Sequence, residues 1–178
     1  MTGNARTHAP LDLREHLARL EAKGLLTRIN EPVNKDTQLH PLVRWQFTGG
    51  LPESARRAFM FTNVHGADGR KFSSPVVVGA LAANPEIYAS GMGVSVEEIG
   101  DVWTRGIASP IDPVKIDNPP CQEVVITGAD LRKPGGGLAS LPIPVSTPGF
   151  DSAPYFTATL CTTKDPETHV QNMGTYRA

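Results

Sequence analysis

Four prolines fall between Ser109 and Pro120, in "SPIDPVKIDNPP", and five more between Leu131 and Pro154, in "LRKPGGGLASLPIPVSTPGFDSAP". A proline donates no backbone hydrogen bond and cannot continue a helix, so neither stretch can be a helix or a central strand. The first stretch is the best boundary in the chain and separates residues 1–112 from residues 117–178. The second is a loop of more than twenty residues, which a compact domain tolerates only if the loop is functional or wraps another structure. Wrapping is the expected case, because prolines hold an extended path at modest entropy cost. Seventeen glycines and sixteen prolines in 178 residues exceed the roughly one in eight of average usage, so long, ordered loops are expected.

Ahead of the boundary the spacing predicts an α/β unit. In "LDLREHLARLEAKGLLTRI", Asp12 can cap, Glu15 stands three residues on, and Leu13, Leu17 and Leu20 share a helical stripe that Gly24 ends. Leu25 to Ile29 reads as a strand. Thr37 is placed to cap a second helix that tolerates Pro41 in its first turn and stops at Gly49 and Gly50. Ala58 to Val64 and Pro75 to Leu81 are short apolar runs that read as core strands, separated by the polar turn segment "HGADGRKFSS". Asn84 with Pro85 starts a further helix. Ser95 and Glu98, in capping-box register, precede another that carries Ile99, Val102, Trp103 and Ile107 on one face.

Beyond the boundary, "CQEVVITG" reads as a strand. "YFTATLCT" alternates strictly, and a turn at Lys164 to Glu167 returns the chain through "THVQNMGTYR" as a β-hairpin.

Seventeen basic residues stand against eighteen acidic ones, for a net charge of -1. That balance gives no footprint for nucleic acid and no polybasic attraction to a membrane. Cys121 and Cys161 form no C-x-x-C, no N-x-S/T sequon occurs, and "MTGNARTHAP" has no apolar leader core. A reduced, cytoplasmic compartment fits, and no window approaches the apolar length of a membrane span.

The chemistry is concentrated in "HVQNMGTYRA". In a strand His169 and Asn172, an odd number apart, point to opposite faces, which disfavours a His-x-x-Asn metal pair. His8, His16, His40 and His65 have no second ligand at a usable spacing, so no zinc site is expected. Asn172 offers a neutral oxygen to a hard cation, Gly174 lets backbone approach a ligand closely, and Arg177 brings a planar fork for phosphate or carboxylate. Spacing alone is equally consistent with a hairpin end carrying an ordinary surface arginine. Gly135 to Gly137 matches neither phosphate-loop pattern and reads as a flexible turn.

"NMGTYR" resembles the N-x-G-x-Y-R signature of the UbiD family of decarboxylases, which use prenylated FMN. The likeness extends over nearly the whole chain. It runs from "DLREHLARLEAKGLLTRI" through "FTNVHG" to "EVVITGADL", "LPIPVSTPGFDSAPYFTATLCTTKDPETHVQ" and the terminal hexapeptide. It implies an amino-terminal α/β domain followed by the first strands of a flavin-reductase-like split β-barrel. It also implies reversible, non-oxidative decarboxylation of an aromatic or α,β-unsaturated carboxylate, with the modified flavin as electron sink.

By the same resemblance Asn172 is a ligand of the manganese (or magnesium) ion that clamps the cofactor phosphate. Thr175, Tyr176 and Arg177 contact the cofactor, and Arg177 also lies beside the reacting carboxylate as the catalytic arginine. Val170 would lend its carbonyl to a potassium site. The partners implied are a flavin prenyltransferase as cofactor supplier, and a second copy or a complementary carboxy-terminal chain. The remaining metal ligands and the carboxylic proton donor come later in family members, so this chain is expected to hold only part of the site, with strand edges that pair elsewhere. A non-catalytic subunit and a plain FMN-binding split-barrel protein are the alternatives.

Overall fold

A computed structural model describes residues 8–178; the first seven residues of the expected amino-terminal unit lie outside the described part. Helix α1 (Leu13–Ala22) starts where Asp12 accepts the Glu15 N–H at 2.8 Å, while Glu15 takes the Leu11 N–H at 2.7 Å. Gly24, at a left-handed φ of 67°, carries the chain out of the helix. Strand β1 (Leu26–Ile29) follows, then β2 (Val33–Asn34) and α2 (Leu39–Thr48).

Thr37 does not cap α2; the N-cap is Gln38, without a side-chain cap bond. Asn34 has taken over the turn, its Oδ1 accepting the N–H groups of Asp36 and Thr37, the local competition at which asparagine excels.

The chain continues through β3 (Ala58–Phe61), β4 (Val64–His65), β5 (Lys71–Phe72) and β6 (Val76–Val78) to α3 (Pro85–Met92) and α4 (Ile99–Ala108). Two three-stranded sheets result. In one, β3 lies between a parallel β1 and an antiparallel β6, with Ile29 and Val76 both opposite Phe61. In the other, β4 lies between a parallel β2 and an antiparallel β5. The expected turn segment "HGADGRKFSS" therefore contains a strand, β5.

Alternation along β3 explains the layering. Ala58 packs with Leu20, Leu25, Ala83 and Ile87, on the side of α1 and α3. Phe59 and Phe61 pack with Val33, Leu39, Val43 and Val64, on the side of α2. The sheet is buried on both faces, and each fully enclosed Leu, Ile or Phe contributes about 2 kcal/mol of transfer free energy.

Asn84 caps α3 as expected, accepting the Ile87 N–H at 2.9 Å. At α4 the capping-box register is only half realised. Glu98 accepts the Ser95 N–H at 2.9 Å but is itself the N-cap, and the helix begins at Ile99. Its apolar face is not enclosed, for Trp103 is 52% and Ile107 75% exposed.

Residues 110–119 form no regular element. The strand expected in "CQEVVITG" is absent: Pro120–Gln122 is a 3-10 turn, and Val124 and Val125 are 75% and 68% exposed. β-branched residues favour a pleated surface, but a strand needs a neighbour to pair with, and none lies alongside. The long proline-rich loop is irregular apart from 3-10 turns at Gly128–Arg132 and Gly137–Ser140. The chain ends in the antiparallel hairpin of β7 (Thr159–Lys164) and β8 (Gln171–Tyr176), a two-stranded sheet of its own. The architecture is mixed α/β, and no barrel is closed among the described residues. No helix among them is long and apolar enough to cross a membrane.

Candidate functional site

The hairpin that carries the loaded stretch is made by its turn. Asp165 Oδ1 accepts the N–H groups of Thr168 at 2.6 Å and Glu167 at 2.9 Å, and the Asp165 N–H donates to the Val170 carbonyl at 3.0 Å. Those bonds, from the Thr168 N–H first, then its hydroxyl, then the Glu167 N–H, hold the Asp165 carboxyl below the ordinary carboxylate range. His169 has a φ of 59° and lies in this turn rather than in a strand. The alternation argument against pairing it with Asn172 therefore does not apply. Among the described residues no group of three or more His, Cys, Asp or Glu side chains could hold a metal ion.

The register sets Asn172 opposite Thr163, Gly174 opposite Cys161, and Tyr176 opposite Thr159. These six residues share one face of the hairpin, and Thr175 belongs to the other with Leu160 and Met173. The Tyr176 ring lies over Gly174, where a Cβ would come within 2.5 Å of its Cε2, a contact that the exposed ring could relieve by turning aside. Asn172 is exposed, and its amide makes no hydrogen bond among the described residues.

Arg177 lies past the end of β8, with its guanidinium 4.9 Å from the centre of the Tyr155 ring. Ala178 is tied to Phe156, accepting its N–H at 2.7 Å. The structure thus brings Arg177 to Tyr155 and Tyr176 to Gly174. Asn172 and Thr175 stand on opposite faces, and no contact links Asn172 with Arg177. The Val170 carbonyl is already an acceptor in the turn.

Asn172 gives one neutral oxygen, whereas a hard divalent cation takes six or more oxygen ligands. The residues present fit a metal as one corner of its site. Arg177, permanently charged and supported on one face by an aromatic ring, fits an anionic ligand.

Sequence reasoning missed a cleft of about 620 Å³ between the α/β unit and the proline-rich loop. One wall presents Lys35, Asp36, Asp68, Arg70 and Phe72, and the other Leu138, Leu141, Ile143 and Phe156. The loop is fastened over the α/β unit by Arg44, which donates to the Ser146 carbonyl at 3.2 Å and to Thr147 Oγ1 at 2.9 Å. Asp151 supports the loop from within by accepting the Thr147 N–H at 2.6 Å. His40 sits beside this fastening, and burial first, then the Arg44 charge, push its imidazole below the ordinary value, against an opposing pull from Asp151.

The model of the 3-octaprenyl-4-hydroxybenzoate carboxy-lyase amino-terminal domain matches residues 17–105, and that of the carboxy-lyase Rift-related domain matches residues 113–178. Among solved structures, an evolved dimeric form of the UbiD-class enzyme HmfF from Pelotomaculum thermopropionicum, in complex with prFMN, superposes with a TM-score of 0.75 at 30% identity, over 93% of this chain and 35% of that one. The same enzyme in complex with FMN gives 0.73 at 30% identity, over 93% and 33%. The vanillic acid decarboxylase of Sedimentibacter hydroxybenzoicus in open form, with a truncated second subunit, gives 0.74 at 26% identity, over 93% and 35%. The chain spans about a third of the length of the solved structures it resembles. The first domain model alone covers half of the chain and the second nearly all that remains beyond the linker, and on that basis the chain belongs to the UbiD family of carboxy-lyases.

Proposed function

We propose that this chain supplies part of a prenylated-FMN site in a decarboxylase acting on an aromatic or α,β-unsaturated carboxylic acid. The observation that carries this reading is the terminal hairpin. It lies within the matched Rift-related domain and leaves the Asn172 amide unspent and the Arg177 guanidinium at the strand's end, free of any carboxylate among the described residues. When bound, the prenylated flavin supplies the electron sink for loss of carbon dioxide.

The chain's own residues bind and orient. Asn172 gives one oxygen to a manganese or magnesium ion at the cofactor phosphate. Thr175 and Tyr176 line the cofactor. Arg177 receives the substrate carboxylate through a planar two-point contact and keeps it aligned. The amino-terminal domain ends near residue 112 and the cofactor domain begins near 117. The remaining ligands and the proton donor come from outside these residues, on the same polypeptide, a second copy or a complementary chain. A cytoplasmic location gives access to the flavin prenyltransferase that this chemistry requires.

A second reading is specifically motivated. HmfF has also been solved in complex with FMN, so a protein of this shape that holds unmodified flavin without chemistry stands as the alternative. Co-expression of the complete gene product with a flavin prenyltransferase separates the two. Under the decarboxylase reading the purified protein carries a cofactor heavier than FMN and releases carbon dioxide from at least one acid in a panel. N172A should lower metal and cofactor content together, and R177Q should lower turnover by at least about a hundredfold while retaining cofactor. Unmodified FMN with no release across the panel would establish the alternative.

A further inference from the structure

We propose that the cleft between the α/β unit and the proline-rich loop binds an aliphatic carboxylate, with Arg70 receiving the carboxylate group. Its volume of about 620 Å³ falls within the usual range for small-molecule sites.

Its charged wall is unevenly satisfied. Lys35 is neutralised by Asp36 at 2.5 Å, and Asp36 also accepts the Ala67 N–H at 3.0 Å. Asp68 spends its Oδ1 on the backbone N–H of Arg70 at 3.0 Å rather than on the guanidinium. Arg70 itself has one acceptor, the Gly135 carbonyl at 3.3 Å, and no carboxylate partner among the described residues. A half-buried guanidinium has five donors, and one carbonyl leaves most of them for a ligand.

The guanidinium is also held in place, 5.1 Å from the Phe72 ring centre and against the glycine turn, where a Cβ on Gly135 would come within 2.7 Å of Nη2. Among the described residues, Asp68 and Arg70 are the two charges of this wall without an ion-pair partner, and of the two only the guanidinium offers donors to a ligand's anionic group.

The opposite wall decides the body of the ligand. Leu138, Leu141 and Ile143 are branched aliphatic side chains, and the Phe72 face is already taken by Arg70 and by Lys35 at 5.9 Å. Phe156 is the one aromatic ring on that wall, against three branched aliphatic side chains, so an alkyl chain fits better than an aryl one. Neither Asn172 nor Arg177 lines this cleft, although Ala178 next to Arg177 does, and the proposal rests on Arg70 and the aliphatic wall rather than on the cofactor reading.

The test is a titration of sodium octanoate into the 178-residue chain, followed by backbone amide chemical shifts. Saturable binding is expected, with shifts centred on Arg70, Leu138 and Leu141. Octanol, with the same chain and no charge, should bind at least about tenfold more weakly, the scale of one charge-assisted contact. R70Q should bring octanoate to the octanol level and leave octanol unchanged. Unsaturable shifts spread over the surface, equal binding of octanoate and octanol, or tighter binding of benzoate than of octanoate would each overturn the proposal. The octanoate–octanol comparison needs only the unmodified chain, so a variant that fails to fold cannot decide it. N172A should bind octanoate normally, which keeps failure of this site distinct from failure of the cofactor site.

Discussion

Asn84 and Gln46 are buried amides whose two ends are both used. Asn84 accepts the Ile87 N–H and donates to the Arg56 carbonyl at 2.7 Å. Gln46 accepts the Arg57 N–H at 2.8 Å and donates to the Arg57 carbonyl at 2.9 Å, copying the pairing of a neighbouring strand. Removing the Gln46 amide leaves the Arg57 N–H and carbonyl without it, and removing that of Asn84 strands the buried Ile87 N–H, which costs more than the net value of the bond. N84A is expected to cost about 1–2 kcal/mol, chiefly from the lost cap that satisfies the buried Ile87 N–H, since the Arg56 carbonyl keeps the Arg57 guanidinium as a donor at 2.9 Å. Urea melts should show a lower midpoint with an unchanged slope; a change under a few tenths of a kcal/mol would refute the assignment. The cap half of this was legible, because Asn before Pro at a helix start is a local signal. The bond to Arg56, 28 residues away, was not.

Two elements respond to pH in calculable ways. In the β7–β8 turn the Asp165 carboxyl is lowered by bonds to its ionised form. The stabilisation is therefore complete above the ordinary carboxylate value of about 3.9 and is lost as pH falls through the depressed folded value. The Asp165 carboxyl should titrate below a free aspartate in carbon-detected NMR, and D165A should fray the hairpin at neutral pH. Where α2 meets the loop, the His40 imidazole is also depressed, so the unfolded chain takes up its proton first. Stability is full above about 6.5 and declines as pH falls toward the folded value. R44Q should raise the His40 midpoint by removing a nearby like charge, and D151N should lower it; proton NMR of the ring reads both. A midpoint indifferent to both substitutions would disprove this electrostatic arrangement.

The hairpin was legible as an element because "DPET" supplies its turn chemistry and "YFTATLCT" a period of two, although β7 begins only at Thr159 and the first half of that segment is not strand. "CQEVVITG" had the right composition for a strand and no partner to pair with.

Across the whole molecule, both apolar clusters lie between Leu20 and Ile87, and the second half of the chain has no enclosed core of its own. Leu160, Val170 and Met173 on the hairpin are 63%, 66% and 61% exposed. Stability should follow that division. F61A, at a fully buried position, is expected to cost about 3–5 kcal/mol. L160A should fall within about 0.5 kcal/mol of wild type. Comparable losses from the two substitutions would mean that the hairpin is covered in solution.

The sequence by itself determined the helices begun by Asp12 and Asn84, the exit at Gly24, the proline linker, the hairpin and its Asn172–Arg177 stretch. Each of these depends on hydrogen bonds and dihedral limits within a few residues. The structure, not the pattern, showed that Asn34 takes the turn before α2 from Thr37, by bonds two and three residues long, and that β5 pairs with β4. It alone decided that Arg44 fastens to Thr147, and that Arg70 faces Leu138 and Leu141 across a cleft. The last two of these join residues tens of positions apart, and which of them form is settled by how the layers pack, because the burial that stabilises them is shared among many side chains.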